Sequence, residues 1–136
     1  MRYSTKLSDA THILLYIHVY AQGDLSSAMI ASSVQTNPAL VRRLMMELTN
    51  AGLLHTTKGK AAPVLTRPLA EISLYDVYHA VEVAPLLHVD TDTNLDCVVG
   101  SNIQGALGNA FARVQAVADA EMKAISLQSV LDDFKF

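Results

Sequence analysis

Apolar residues at Leu7, Ala10, Ile13, Leu14, Ile17 and Ala21 fall three or four apart, the spacing that gathers side chains on one face of an α-helix. The pattern predicts a first helix that opens near Ser8-Asp9 and stops at Gly23-Asp24. A shorter run with Met29, Ile30, Ala31 and Val34 follows Leu25-Ser26-Ser27 and ends in the polar Gln35-Thr36-Asn37, a second helix of about two turns. Asn37-Pro38 marks a third start, because the Asn side chain can accept from the free amides of a first turn and Pro is preset for the first helical position. Its buried stripe is Leu40, Val41, Leu44, Met45 and Leu48, and Gly52 is placed to form a left-handed C-terminal cap. The opposite face carries Ala39, Arg42, Arg43, Met46 and Glu47.

From Leu53 the period changes to two through Thr57, passes the turn-rich Lys58-Gly59-Lys60-Ala61-Ala62-Pro63 and resumes at Val64-Leu65-Thr66. This predicts a β-hairpin with a basic tip. Ser73 with Asp76 three residues on forms an N-terminal capping pair for a fourth helix that ends before Pro85. Residues 84–100 are irregular and read as a connector. Ser101 with Gln104 gives a second capping box, and Ile103, Leu107, Ala110, Phe111, Val114, Val117, Ala118 and Met122 trace an apolar seam along a long fifth helix. Gly105 and Gly108 weaken that helix, which predicts close approach of another backbone there. A short helix, Leu127 to Phe134, comes last. The expected division is a DNA-binding unit over 1–83, a connector over 84–100 and dimerisation helices over 101–136.

The length of 136 residues suits one ordinary domain. Hydrophobic residues make up 51% and charged residues 17%, against about 25% charged on average, so there is more apolar surface than one small core uses. The seam therefore predicts a homodimer paired through Ile103, Leu107, Phe111 and Val114. The charge-free windows are broken by Ser, Gln, Asn, Gly and Pro, which argues against a membrane span, and the opening Met-Arg-Tyr-Ser-Thr-Lys is not a signal peptide. A single cysteine cannot form an internal disulfide and fits a reducing cytoplasm. Charge is unevenly divided. Residues 1–68 carry seven Lys and Arg against three acids, and the remainder three against ten, so the first part attracts polyanions and the second repels them.

Two short helices, a polar turn, a third helix with two arginines outward and a basic hairpin form the pattern of a winged helix-turn-helix, in a chain that is mostly α with one small β-hairpin and a long C-terminal dimerisation helix. In such a module the second helix of the pair enters the major groove, where Arg can grip guanine O6 and N7, while the hairpin holds phosphates. Arg42 and Arg43 are the expected readers and Lys58 and Lys60 the expected phosphate contacts, with Thr36, Asn37 and Ala39 at the reading helix's start. An arginine pair is by itself more often a solvated helix face; the Asn-Pro start, the adjacent hairpin and the basic half favour double-stranded DNA. No phosphate-binding loop, nucleophile elbow or paired Cys and His points to an enzyme. The competing reading is a dimeric winged-helix scaffold for protein contacts without DNA.

The chain also resembles, almost end to end, the bacterial winged-helix regulators of the iron-sulfur cluster regulator (IscR-like) family, with their nitrite-sensitive and cysteine-metabolism relatives. The resemblance rests on Met1 to Lys6, on Val41-Arg42-Arg43-Leu44 followed by Ala51-Gly52-Leu53-Leu54, and on Arg67-Pro68 with Ile72-Ser73-Leu74-Tyr75-Asp76-Val77-Tyr78-His79-Ala80-Val81-Glu82. It implies a homodimeric transcription regulator, a repressor by expectation, paired through the long helix. Cluster-bearing members have three closely spaced cysteines before that helix, whereas this chain has only Cys97, so no cofactor is expected and the likeness is to the cluster-free, single-cysteine subgroup. Cys97 has two readings. It is a candidate redox sensor, because a helix N-terminus can lower a thiol pKa, or a small buried hydrophobe, which Asp90, Asp92 and Asp96 favour by opposing a thiolate. The alternating Asp90, Asp92, Asn94 and Asp96 lack the Gly and bidentate Glu of a calcium loop, and the five histidines show no metal-ligand spacing, so no metal site is expected. A signal, if not Cys97, is expected as a small-molecule effector where the acidic connector meets the fifth helix.

Overall fold

The structure, a computed structural model, describes residues 3–56 and 62–136. Helix α1 runs Lys6–Val19, two residues ahead of the expected start. Leu7 packs against the core, and Thr5 closes the turn below it through its Oγ1 donating to Asp9 at 3.0 Å. Helix α2, Ser27–Val34, is capped by Ser26, whose Oγ accepts from Met29 N. It stops because Gln35 turns left-handed at φ 63°, a conformation a side chain resists and Gly adopts freely.

Helix α3, Pro38–Asn50, begins as the sequence dictates, with Asn37 Oδ1 accepting from Leu40 N at 2.8 Å. Its end is a Schellman turn: Leu53 N donates to Leu48 O and Gly52 N to Thr49 O, with Gly52 at φ 81°. Strands β1, Leu54–His55, and β2, Val64–Leu65, pair antiparallel in the register Leu54 to Leu65. The hairpin tip, and with it the expected phosphate contacts Lys58 and Lys60, lies outside the described residues.

A 3₁₀ turn at Leu69–Glu71 leads to α4, Leu74–Val81. The capping box expected there is present in both directions, Asp76 N to Ser73 Oγ at 3.0 Å and Ser73 N to Asp76 Oδ2 at 2.9 Å. Arg67 reinforces it, with NH2 2.9 Å from Asp76 Oδ2 and Nε donating to Glu71 O.

Helix α5, Val98–Ala124, starts three residues before the expected capping box, with Cys97 as its N-cap. Ser101 instead lies inside the first turn, its Oγ donating to Val98 O, and Gln104 reaches out of the helix to Thr91 O and to Thr93 Oγ1 at 2.7 Å. Those bonds strap the connector across the start of α5. Asp90 and Asn94 accept from the backbone of Asp92 and Asp96, so part of the acidic run shapes turns. The glycine that meets another backbone is Gly100, where a Cβ would strike the carbonyl of Asn94; Gly105 and Gly108, where close approach was expected, have nothing within 4 Å.

Helix α6 spans Leu127–Asp132, ending before the expected Phe134. Leu127 N donates to Ile72 O and Leu74 N to Ile125 O, each at 2.8 Å, which returns the chain to the N-terminal unit. The core is built there, from Ile13 and Leu14 of α1, Ile30 of α2, Val41, Leu44 and Leu48 of α3, and Val77 of α4, with Leu127 of α6 inserted among them. In contrast, α5 buries none of its residues and packs chiefly against α4.

Candidate nucleic-acid interface

The stripe Val41, Leu44 and Leu48 anchors α3 in the core, which fixes the direction of its other face. Arg42 and Arg43 are exposed there, as are Ala39 and Met46. Asn37 is exposed and Thr36 half-buried at the turn into the helix. Glu47, expected on the same face, is half-buried, and its Oε2 is covered with no hydrogen-bond partner among the described residues. With that carboxylate turned away, the outward face presents two guanidinium groups and no acid.

Arg42 NH1 donates to Ser27 Oγ at 3.2 Å. The first residue of α2 thereby orients an arginine of α3. Neither Arg42 nor Arg43 forms a salt bridge among the described residues. Arg42, Met45, Met46, Thr49, Asn50 and Thr56 surround a shallow groove between the outer side of α3 and the base of the hairpin. Thr49, Asn50 and Thr56 were not singled out from the sequence, because only the fold brings the hairpin base alongside the end of α3.

The expected pairing residues behave differently along α5. Ile103, Leu107 and Phe111 are half-buried, whereas Val114 is 50% and Val117 71% exposed. Free apolar surface thus lies at mid-helix, and again at the start of α5, where Val98 and Val99 are exposed. Cys97 is exposed, which corrects the reading of it as a buried hydrophobe. The backbone N–H groups of Gly100 and Val99, in the first turn of α5, hold its thiol below the ordinary value.

A helix with an exposed arginine face, a hairpin beside it and a long solvent-facing helix leading away form the frame of a winged-helix fold. Residues 3–133 match the model of the Rrf2 family, described as iron-dependent transcriptional regulators. The chain belongs to the Rrf2 family. It is 37% identical over 130 residues to the HTH-type transcriptional regulator YwnA of Bacillus subtilis (strain 168), covering 95% of this chain and 96% of that one. A crystal structure described as a DNA binding protein shares 36% identity at TM-score 0.75, over 93% of this chain and 98% of the other. The cysteine regulator CymR of B. subtilis superposes at TM-score 0.69 over 99% of each chain with 18% identity, a likeness of fold. This chain is accordingly a DNA-binding transcriptional regulator of winged-helix fold and not an enzyme.

The family description raises iron, and the donor set here does not fit it. The chain has one cysteine, and among the described residues no three His, Cys, Asp or Glu side chains stand close enough to hold a metal ion. An iron-sulfur cluster is held by several ligands, usually four, most of them thiolates. Nor is any helix among the described residues long and apolar enough to cross a membrane.

Proposed function

We propose that the chain is a homodimeric repressor that presents α3 to the major groove of an operator half-site, with Arg42 and Arg43 reading bases. Asn37 and Thr36 approach the adjoining backbone, Ala39 lets the helix sit deep, and Lys58 and Lys60 of the hairpin tip hold phosphates. The copies pair through α5 along Ile103, Leu107, Phe111 and Val114, which sets the two reading helices at the spacing of successive grooves. The observation that carries this reading is the pair of exposed arginines opposite the buried Val41, Leu44 and Leu48 stripe, with no acid on their face. Such a regulator works where the cell keeps its DNA, in the cytoplasm of a bacterium.

Fluorescence anisotropy with a fragment from the protein's own upstream region tests it. The logarithm of affinity should fall linearly with that of salt concentration, at about one unit of slope per phosphate held. Specific binding should disappear when α5 pairing is broken. Salt-independent binding, or full affinity after replacing both arginines, would favour the protein-scaffold reading. A second reading adds redox control, because the Cys97 thiol is exposed and acidified by the first turn of α5. Peroxide should then release the wild type from DNA and leave Cys97→Ser bound.

A further inference from the structure

Four aromatic rings gather away from both the α3 face and α5. Tyr16 of α1 and Tyr20, which caps its end, have ring centroids 4.7 Å apart, and Phe134 and Phe136, beyond α6, pair at 6.1 Å. With Leu15 and Ser33 they line a cavity of about 430 Å³ between α1, α2 and residues 134–136, a volume in the range of small-molecule sites. No Asp, Glu, Lys or Arg side chain lines it. Their polar groups are few and close together: His12 Nε2 lies 2.8 Å from Ser33 Oγ, and the covered Thr11 hydroxyl has no hydrogen-bond partner among the described residues.

We propose that this cavity binds an uncharged, planar aromatic molecule, seated between the two ring pairs and hydrogen-bonded at the His12 and Ser33 pair, and that its binding alters operator affinity. An ion would find no charged side chain in this lining to pair with. A planar ring gains offset or edge contacts with Tyr and Phe that an aliphatic chain does not, and the His12 and Ser33 pair offers it hydrogen-bonding atoms. None of the lining residues lies on α5. The effect on DNA, which rests on α3 being the reading helix, follows from the position of Ser33. It lies in the last turn of α2, four residues before the Asn37 cap of α3. The His12 contact ties α2 to α1, and the Arg42 to Ser27 bond ties α2 to α3. A ligand that competes for the first bond shifts α2, and the second carries α3 with it.

Benzamide, neutral, planar and able to donate and accept, is the probe. Titrated without DNA into the full ¹⁵N-labelled chain, it should shift the amides of Thr11, His12, Tyr16, Tyr20 and Ser33 on one saturable curve. Tyr20→Ala and Ser33→Leu are at exposed positions, and each should weaken binding about tenfold with an unchanged far-ultraviolet circular dichroism spectrum. Shifts spread over α5, absence of saturation, or undiminished binding in both variants overturn the site. Saturating benzamide should then change wild-type affinity for the upstream fragment by roughly threefold or more and leave Ser33→Leu unaffected; saturable binding without that change overturns the coupling. Since the first titration contains no DNA, failure to bind any operator counts against α3 as the reader and leaves the cavity result standing.

Discussion

Val114 and Val117 give the cleanest test of pairing, because they contribute nothing to the core of the single chain. They lie three residues apart on α5, 50% and 71% exposed, so replacing both with Asp leaves the subunit's own packing intact. Burying the exposed part of a valine contributes on the order of 1 kcal/mol, and the four side chains of a symmetric pair about 4 kcal/mol. Part of that is lost to incomplete coverage and to ordering at the interface. The double variant also places four carboxylates in or near the seam, where like charges repel and desolvation is costly. The dimer dissociation constant should therefore rise at least about a hundredfold. Sedimentation equilibrium over a range of concentrations measures it, with far-ultraviolet circular dichroism to show that helix content is unchanged. Monomeric double variant should lose operator binding while keeping weak, salt-sensitive binding to random DNA, since α3 is untouched. A variant that stays dimeric at the wild-type concentration, with its helices intact, would refute pairing along this part of α5.

Arg43→Ala should lose roughly 1–3 kcal/mol on the operator and far less on random DNA, because a bidentate guanine contact discriminates by that amount; equal losses on both in a binding isotherm would make Arg43 a phosphate contact. Gln35→Gly should raise stability by about 0.5 kcal/mol in urea titrations with an unchanged slope, since relief at φ 63° slightly exceeds the added freedom of the unfolded chain. A decrease would mean that the Gln35 side chain stabilises the turn. Asp76→Ala should cost about 1 kcal/mol at neutral pH, because it removes half of the capping box and the partly exposed pair with Arg67. Burial pushes the Asp76 carboxyl up, but the Ser73 amide, Arg67 and the Ser73 hydroxyl together bring it below its usual 3.8. Its stabilisation is thus full above the unfolded value and is lost as pH falls through the folded one. The stability gap between wild type and Asp76→Ala should close in that acidic window; a gap constant with pH would show that the carboxylate charge contributes nothing.

The elements legible in the sequence were those with a local chemical cause. Asn37-Pro38, Gly52 and the pair Ser73 and Asp76 each satisfy backbone groups within a few residues, and each forms as expected. The start of α5 was misplaced because Ser101 and Gln104 have the spacing of a capping box while their side chains are used otherwise, Gln104 to hold the connector. The same cause moved the tight glycine from Gly105 and Gly108 to Gly100, where the strapped connector passes. Partners distant in sequence left no such mark: the Arg42 to Ser27 bond and the aromatic cavity join residues that only tertiary folding brings together.

Cys97 shows how proximity in sequence misleads about electrostatics. Asp90, Asp92 and Asp96 lie within seven residues of it, and counting charge along the chain makes a thiolate there unfavourable. In three dimensions two terms change. The connector folds back on α5, with Asp90 Oδ1 engaged by the backbone of Asp92, and exposed carboxylates are weakened further by solvent and salt. The N–H groups of Gly100 and Val99, by contrast, belong to the first turn of a 27-residue helix and draw the thiol below its ordinary value. Short, fixed dipoles therefore decide the direction, as they do at helix N-termini generally. Nor does the side chain gain from burial, since it is exposed. Of the two readings the sequence leaves open for Cys97, the buried one fails, because a helix begins immediately after it and leaves the thiol accessible and acidified.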